Sequence, residues 1–241
     1  MTRLGINIDH IATIRNARGS THPDPLFAAK RVIKSGAHSV TIHLREDRRH
    51  IQEIDVRNLK EIIKKPMNLE MALTDDMLIF AEEIKPEFCC FVPEKREELT
   101  TEGGLDVFSQ MDALSIAAER MKKSGIRVSF FVDPDPKQIE SSQLAGADAV
   151  EIHTGTYADS LNLEDQKYEL NRIRECAIHA NKIGLRVNAG HGLHYENTKA
   201  IAEINEIQEL NIGHSIIAKS LDTGIAEAVN TMKTIMIEAR K

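Results

Sequence analysis

The sequence contains no tryptophan, only three cysteines, and an aromatic content of just 4%. Two of the cysteines, Cys89 and Cys90, are neighbours inside an apolar run. This pattern is unlike the spaced cysteines of a disulfide-rich secreted domain, so we expect reduced thiols and a cytoplasmic protein. The stretch "MTRLGINIDH" has no apolar signal core, and no later apolar run approaches the roughly 20 residues of a membrane span. We therefore expect a soluble protein.

The sequence also lacks an excess of positive charge. It has 31 Lys and Arg residues against 37 Asp and Glu residues, and its net charge is −6. An acidic chain has no global attraction to nucleic acid or to an anionic membrane, so its basic clusters indicate local binding sites. No linker rich in Pro, Gly or Ser divides the 241 residues, which predicts one domain over 1–241.

Four similar segments show where helices end and strands begin: "KSGAHSV", "KSGIRVS", "LAGADAV" and "KIGLRVN". In each of them Gly suits the left-handed residue that follows a helix, and an apolar strand comes next. Helix starts are indicated by Asp24 before Pro25, by Thr74, and by "DPDP" before Pro136. The last helix is predicted over the amphipathic run Asp222–Arg240.

This alternation predicts eight strand–helix units. The strands fall near residues 4–9, 38–44, 67–72, 88–92, 126–132, 148–153, 185–189 and 209–213. Eight such units in a chain of 241 residues are typical of an α/β protein with the (β/α)8 TIM-barrel fold. A doubly wound open sheet is the alternative, although it normally has fewer strands.

Polar side chains alternate with apolar ones along several predicted strands. The polar pairs are Asn7 and Asp9, Thr41 and His43, Asn68 and Glu70, Ser129 and Asp133, and Glu151 and His153. In a barrel one parity packs on the helices and the other lines the interior. We therefore expect an active site at the carboxyl ends of the strands, where barrel enzymes place their chemistry.

Two groups of residues indicate anion binding. "NAGHGL" and "NIGHS" place Gly and His at the ends of the seventh and eighth strands, a common phosphate site in barrels. A basic cluster follows the first two strands and comprises Arg15, Arg18, Arg45, Arg48, Arg49 and His50. We expect Arg48 and Arg49 to pair with the adjacent carboxylates of Glu46 and Asp47. Two separate anion sites indicate two phosphorylated substrates or one bisphosphate.

Several titratable residues occupy interior positions of the predicted barrel. They are the carboxylates Glu70 and Glu151, the imidazoles His43, His153 and His191, and Asp9 with His10. Burial among apolar strands raises a carboxyl pKa toward the range in which it can exchange protons at neutral pH. Their joint placement at strand ends therefore favours acid–base catalysis over a purely structural role.

Three missing motifs narrow the chemistry further. No HxH or HExxH pattern is present, so we predict no catalytic metal. No lysine lies inside a predicted strand, which disfavours an aldolase with an enzyme-bound Schiff base. No GxGxxG motif follows a strand, so a dinucleotide site is not indicated.

The loop after the fourth strand, "PEKREELTTEGGLDV" at 93–107, is long and charged and contains two adjacent glycines. We interpret it as a lid that closes over the strand ends, with the hydroxyl of Thr100 or Thr101 reaching a ligand. A flexible surface loop without such a role is the alternative.

Two other functions fit these residues. One is a phosphosugar isomerase or epimerase that uses Glu70 and a histidine on a single substrate. The other is a catalytically silent barrel that senses a sugar phosphate. The many polar interior groups argue against the silent barrel, because buried polar groups without partners are destabilising.

Seven segments together closely resemble the pyridoxine 5′-phosphate synthase family. They are "GINIDHIATIRNARG", "TIHLREDRRHI", "MNLEMA", "FCCFVPEKREELTTEGGLDV", "EIHTGTYA", "VNAGHGLHY" and "ELNIGHSII". They follow one another over nearly the whole chain. The resemblance implies a cofactor-free condensation of 3-amino-2-oxopropyl phosphate with 1-deoxy-D-xylulose 5-phosphate, giving pyridoxine 5′-phosphate, phosphate and water. It also implies a homo-octamer.

The resemblance further implies a role for individual residues. His43 and Glu70 would accept protons, His191 would donate one, and Glu151 would support catalysis. Ligand contacts would fall on Asn7, Asp9, His10, Arg18, Arg45, His50, Thr100, Gly192, Gly213 and His214. An imine formed between the two substrates needs no enzyme lysine, which agrees with the strands' lack of one.

Overall fold

The computed structural model describes residues 1–94 and 103–241. The strands are β1 (Arg3–Asn7), β2 (Ser39–His43), β3 (Met67–Met71), β4 (Phe88–Phe91), β5 (Arg127–Val132), β6 (Ala149–His153), β7 (Arg186–Gly190) and β8 (Ile207–Ile212). Each strand is parallel to the next one, and β1 also pairs with β8, so the sheet closes into a barrel. The predicted (β/α)8 barrel is confirmed, and the alternative of an open sheet is wrong.

Helices connect the strands on the outside of the barrel. They are α1 (Asp9–Arg18), α2 (Pro25–Lys34), α3 (Glu53–Ile62), α4 (Asp75–Ile84), α5 (Met111–Lys123), α6 (Pro136–Leu144), α7 (Gly155–Ala158), α8 (Leu163–Lys182), α9 (Thr198–Ala202), α10 (His214–Thr223) and α11 (Ile225–Glu238). The predicted start of the last helix at Asp222 is wrong. Gly224 has a φ of 81° and separates α10 from α11, so Asp222 belongs to the earlier helix.

The predicted helix starts are confirmed by their capping contacts. The side chains of Asp24, Thr74 and Asp135 accept hydrogen bonds from the backbone N–H groups of Leu26, Met77 and Lys137. Such a cap satisfies an N–H group that has no partner within the helix, and it stabilises the protein by about 1 kcal/mol. These caps fix the residue at which each helix begins after the loop that follows its strand.

The strands separate an apolar outer layer from a polar interior. Leu4, Leu69 and Met71 are fully buried on the side that faces the helices. Burying a large aliphatic side chain stabilises the fold by about 1.5–3 kcal/mol. The alternate positions carry polar residues such as Thr41 and Glu151, which are also buried. The predicted parity of the strands is therefore confirmed, and it directs the polar groups into the barrel.

The cysteines and helices agree with the expectations from composition. Cys89, Cys90 and Cys176 are buried free thiols, and burial raises the pKa of each of them. Within residues 1–94 and 103–241, no helix is long and apolar enough to cross a membrane.

Candidate active site

A cavity of about 650 Å³ opens at the carboxyl ends of the strands. A cavity of this size suits small organic ligands. It is lined by Asn7, Asp9, His10, Thr13, His43, Arg45, Arg49, His50, Glu70, Val92, Phe131, Glu151, His191, Gly192, Leu193, His194, Asn211, Ile212, Gly213, His214 and Ser215. The structure therefore brings together twelve of the fourteen site residues predicted from the sequence, all except Arg18 and Thr100.

His43 and Glu70 lie side by side at the ends of β2 and β3, where they are partners in the parallel register. Asp9 contacts this pair from the first turn of α1, although the sequence predicts it at a strand end. Its Oδ1 accepts a hydrogen bond from the His43 backbone N–H at 2.9 Å, and its Oδ2 accepts one from Asn7 Nδ2 at 2.7 Å. The Asp9 carboxylate is thereby held next to the candidate bases.

A second carboxylate reaches His43 from the loop after β4. Glu94 Oε1 lies 2.7 Å from His43 Nε2, and Glu94 Oε2 accepts a hydrogen bond from the Glu46 N–H at 3.0 Å. Burial by itself raises the pKa of Glu94, but the hydrogen bonds from His43 and Glu46 and the charge of Arg45 hold that pKa below its usual value. The Glu94 carboxylate is therefore ionised and fixes the orientation of the His43 ring.

Two further carboxyl groups, Glu70 and Glu151, share the interior of the barrel. Burial and the negative charges of Glu151 and Asp9 raise the pKa of Glu70 well above its usual value. Burial also raises the pKa of Glu151 to about 7, although a hydrogen bond from Asn211 acts in the opposite direction. A carboxyl group with a pKa near the working pH both accepts and releases protons efficiently.

The loops after β7 and β8 form one edge of the cavity. Helix α10 begins at His214 directly after Gly213. The N–H groups of Ile216 and Ile217 donate to Gly213 O, whereas those of His214 and Ser215 have no partners within the helix. Such a helix start binds anions, because the N–H groups and the helix dipole both favour negative charge. A Cβ atom on Gly192 would lie 2.6 Å from the Cβ of Ala158, so the backbone here requires glycine.

His191 lies on the same edge, within a group of aromatic rings. Its ring centroid is 5.1 Å from that of His153 and 6.4 Å from that of Phe131. Burial and the neighbouring His153 lower the pKa of His191 to about 4. His153 Nδ1 lies 2.9 Å from Asp133 Oδ1. The His153 ring packs against His191 and does not line the cavity. A backbone φ of 81° at His191 is unusual for a residue other than glycine and is often found at functional sites.

Arg45, Arg49 and His50 form a basic edge after β2. The Arg45 side chain is only 3% exposed, and Arg49 pairs with Asp47 at 2.6 Å, as the sequence predicts. Burial lowers the pKa of His50, as do the positive charges around it. This basic edge and the helix start after β8 therefore lie on one cavity.

The structure places Arg18 and Arg48 outside the cavity lining. Arg18 is exposed at the end of α1 and lies outside the lining. Arg48 donates to Arg45 O at 2.5 Å and pairs with Glu53 at 2.9 Å, so its expected pairing with Glu46 or Asp47 is wrong. Thr100 and most of the predicted lid at 93–107 fall within 95–102, outside the described residues.

Asp9, His43 and Glu70 also have the spacing of a metal site, with one ligand atom from each lying within 4.8 Å of the others. The sequence predicts no metal here. Both Asp9 oxygens accept hydrogen bonds, and His43 Nε2 contacts Glu94. Three of the atoms that could coordinate an ion are therefore already engaged with protein groups.

The whole chain can be matched to a known family. A family described as "Pyridoxal phosphate biosynthesis protein PdxJ" matches residues 4–238. The chain belongs to this family. A relative from Coxiella burnetii, named Pyridoxine 5'-phosphate synthase, is 56% identical over 100% of both chains. A relative of the same name from Legionella pneumophila is 55% identical over 98% of this chain and 96% of its own.

Solved structures outside the PdxJ family share the fold. KGPDC from Streptococcus mutans superposes with a TM-score of 0.67 at 12% identity, covering 100% of both chains. Thiamine phosphate pyrophosphorylase from Pyrococcus furiosus gives a TM-score of 0.62 at 12% identity, over 98% of this chain and 96% of that one. At such low identity the likeness supports the barrel fold alone.

Sequence reasoning missed several residues of this PdxJ-family cavity: Thr13, Phe131, His194, Asn211 and Ser215 in the lining, and Glu94 beside His43. Ser215 and Asn211 lie in the segment "ELNIGHSII", in which only the glycine and the histidine match a phosphate-binding pattern. Asn211 could have been found from strand alternation, because it occupies an interior-facing position of β8. The contact of Glu94 with His43 joins residues 51 positions apart, which no local pattern reveals.

Proposed function

We propose that this cavity performs the pyridoxine 5′-phosphate synthase reaction. In this reaction 3-amino-2-oxopropyl phosphate and 1-deoxy-D-xylulose 5-phosphate condense to pyridoxine 5′-phosphate, phosphate and water. The observation that carries the proposal is one cavity whose lining combines basic side chains after β2, the start of α10 after β8, and the titratable residues His43, Glu70 and Glu151. The names of the curated relatives support the same reaction.

Each anion-binding edge holds one phosphorylated substrate. Gly192, Gly213 and His214 bind one phosphate through backbone N–H groups and the start of α10. Arg45 and His50 bind the other substrate, because a guanidinium makes charge-assisted hydrogen bonds to phosphate. The family resemblance adds ligand contacts from Thr100 and from Arg18, although Arg18 lies outside the cavity lining. Asn7, Asp9 and His10 lie between the edges and contact the substrate groups that react.

Glu70 and His43 act as the proton acceptors. Imine formation and ring closure remove water and move protons several times, which requires more than one acid–base group. The raised pKa of Glu70 makes it a strong base once it is ionised. The ammonium group of the amino substrate supplies a positive charge that favours the ionised carboxylate. Glu94 orients His43 through their contact at 2.7 Å.

His191 acts as the proton donor, and Glu151 supports the charge that develops during the reaction. The pKa of His191 is about 4 in the empty cavity, so its ring is neutral there at pH 7. A phosphate dianion beside the ring favours the protonated form, and substrate binding therefore prepares the donor. The imine forms between the two substrates, so the reaction uses neither an enzyme lysine nor a cofactor.

The test is to incubate the purified protein with both substrates and to follow the absorbance of the pyridine product. We expect product only when both substrates are present, together with one phosphate released per ring formed. Incubations with each substrate alone are the controls. Turnover of one substrate alone would instead indicate an isomerase or epimerase, and no product from the pair would contradict the proposed reaction.

The protein works in the cytoplasm as a homo-octamer, as in the family it belongs to. Its partners are the two phosphorylated small molecules, without nucleic acid or membrane. Exposed large apolar side chains support assembly, since Leu161 just before α8 and Leu163 and Tyr168 within it are 65–100% exposed. Burial of such side chains against another subunit would remove apolar surface from water. Light scattering should give a mass of eight chains, and a monomer would contradict the assembly.

A further inference from the structure

Asn211 connects three strands inside the barrel. Its Nδ2 donates a hydrogen bond to Glu151 Oε2 at 2.5 Å, and its Oδ1 accepts one from Thr41 Oγ1 at 3.1 Å. Thr41 lies on β2, Glu151 on β6 and Asn211 on β8, and all three are at least 94% buried. Because Thr41 donates to the carbonyl oxygen, the amide is oriented with its NH2 group toward Glu151.

The strands on both sides of Asn211 carry glycine opposite it, Gly5 on β1 and Gly190 on β7. A Cβ atom on Gly5 would lie 2.1 Å from Asn211 Oδ1. A Cβ atom on Gly190 would lie 2.5 Å from Glu151 Oε1. Both distances are far below van der Waals contact, so the pair fits only because these two positions lack side chains. The glycines on β1 and β7 therefore leave the space that the Asn211–Glu151 contact occupies.

The contact also acts on the charge of Glu151. Burial and, to a smaller extent, the charge of Glu209 raise the pKa of this carboxyl to about 7, while the hydrogen bond from Asn211 acts to lower it. Within residues 1–94 and 103–241, the other titratable groups that interact with Glu151 are Glu70 on β3 and Cys90 on β4, and neither supplies positive charge. Asn211 is therefore the donor that favours the ionised form, because an amide NH2 bonds more strongly to a carboxylate than to a carboxylic acid.

We infer that Asn211, held by Thr41, is a positioning residue that orients Glu151 in the reaction cavity and favours its ionised form. This inference rests on the proposed function, in which Glu151 supports the charge that develops during the condensation. Asn211 acts through Glu151 and has no proton of its own to transfer.

The decisive variant is Asn211→Leu, which keeps a similar volume and removes both hydrogen bonds. Without the donor, Glu151 should ionise only at higher pH. We expect the acid limb of the pH profile of kcat/KM to move upward by about one pH unit or more. At pH 7 we expect kcat to fall about tenfold or more, with smaller changes in KM for both substrates.

Two milder variants and one control complete the experiment. Thr41→Val removes only the donor that orients the amide, and it should move the acid limb in the same direction by a smaller amount. Gly5→Ala should displace the Asn211 amide and give the same effect as Asn211→Leu. The control is Ser39→Ala, because Ser39 makes an equivalent buried hydrogen bond, at 2.7 Å, to Glu209 deeper in the barrel. We expect its profile to stay at the wild-type position.

An unmoved acid limb in folded Asn211→Leu protein overturns the inference, even if kcat falls. If that variant does not fold, Thr41→Val decides by the same criterion. Infrared spectra of the protonated carboxyl group, with Glu151→Gln as the reference, follow the ionisation of Glu151 without substrate. If the wild type makes no product, the proposed function fails, and the infrared titration still supports or overturns the role of Asn211.

Discussion

Replacing Glu151 by Gln should stabilise the protein at neutral and alkaline pH. Burial raises the pKa of Glu151 from 4.5 to about 7, so the folded protein binds this proton more tightly than the unfolded chain does. Its contribution to the free energy of unfolding is complete below pH 4.5 and is lost as the pH rises to about 7. At about 1.4 kcal/mol per pH unit, the loss from pH 4.5 to about 7 amounts to about 3 kcal/mol.

The Gln side chain is neutral at every pH and still accepts the hydrogen bond from Asn211. Urea unfolding at several pH values should therefore show a small difference from wild type near about pH 5, rising to about 3 kcal/mol above about pH 8. Glu169→Gln is the matched control, because Glu169 is also buried but pairs with Arg172 at 2.8 Å, so its replacement removes an ion pair and should not stabilise the protein. If the difference in unfolding free energy between Glu151→Gln and wild type does not grow with pH, the pKa of Glu151 is not raised in the folded protein.

Three further predictions concern the cavity. Arg45→Ala should weaken the binding of one phosphorylated substrate about ten- to a hundredfold, measured by calorimetry, and equal weakening of both would count against two anion sites. Glu94→Gln removes the charge beside His43 and should lower kcat about tenfold or more with little change in Tm, whereas unchanged turnover would leave the contact a structural one. In NMR titrations His191 should ionise near pH 4 in the free protein and at least about one pH unit higher with inorganic phosphate bound, and an unmoved titration would place phosphate elsewhere.

The barrel could be predicted from the sequence because its signals are local. Caps such as Asp24 and Thr74 act within three residues of the helix they start. Strand alternation is equally local, and it predicts that Glu70 and Glu151 face the interior. Gly224 shows the limit of this reasoning. The residues around it are amphipathic, and its φ of 81° is a backbone property that the apolar pattern does not report.

The contacts within the site could not be predicted, because they depend on how distant segments meet. Glu94 reaches His43 across 51 residues, and Asn211 reaches Glu151 across 60. Gly5 is informative only once β1 is known to lie beside β8 and to face Asn211. Sequence patterns therefore identified which residues enter the cavity, and the closed barrel determined which of them touch.

The proposed condensation requires Glu70 to act as a base. Glu70→Gln keeps the shape and most of the hydrogen bonding of the side chain but cannot accept a proton at neutral pH. The measurement is turnover with both substrates, alongside substrate affinity and Tm. We predict that kcat falls by about a hundred- to ten-thousandfold while the protein stays folded and binds its substrates. Turnover within a few-fold of normal in a folded Gln variant would contradict the account and leave His43 as the base.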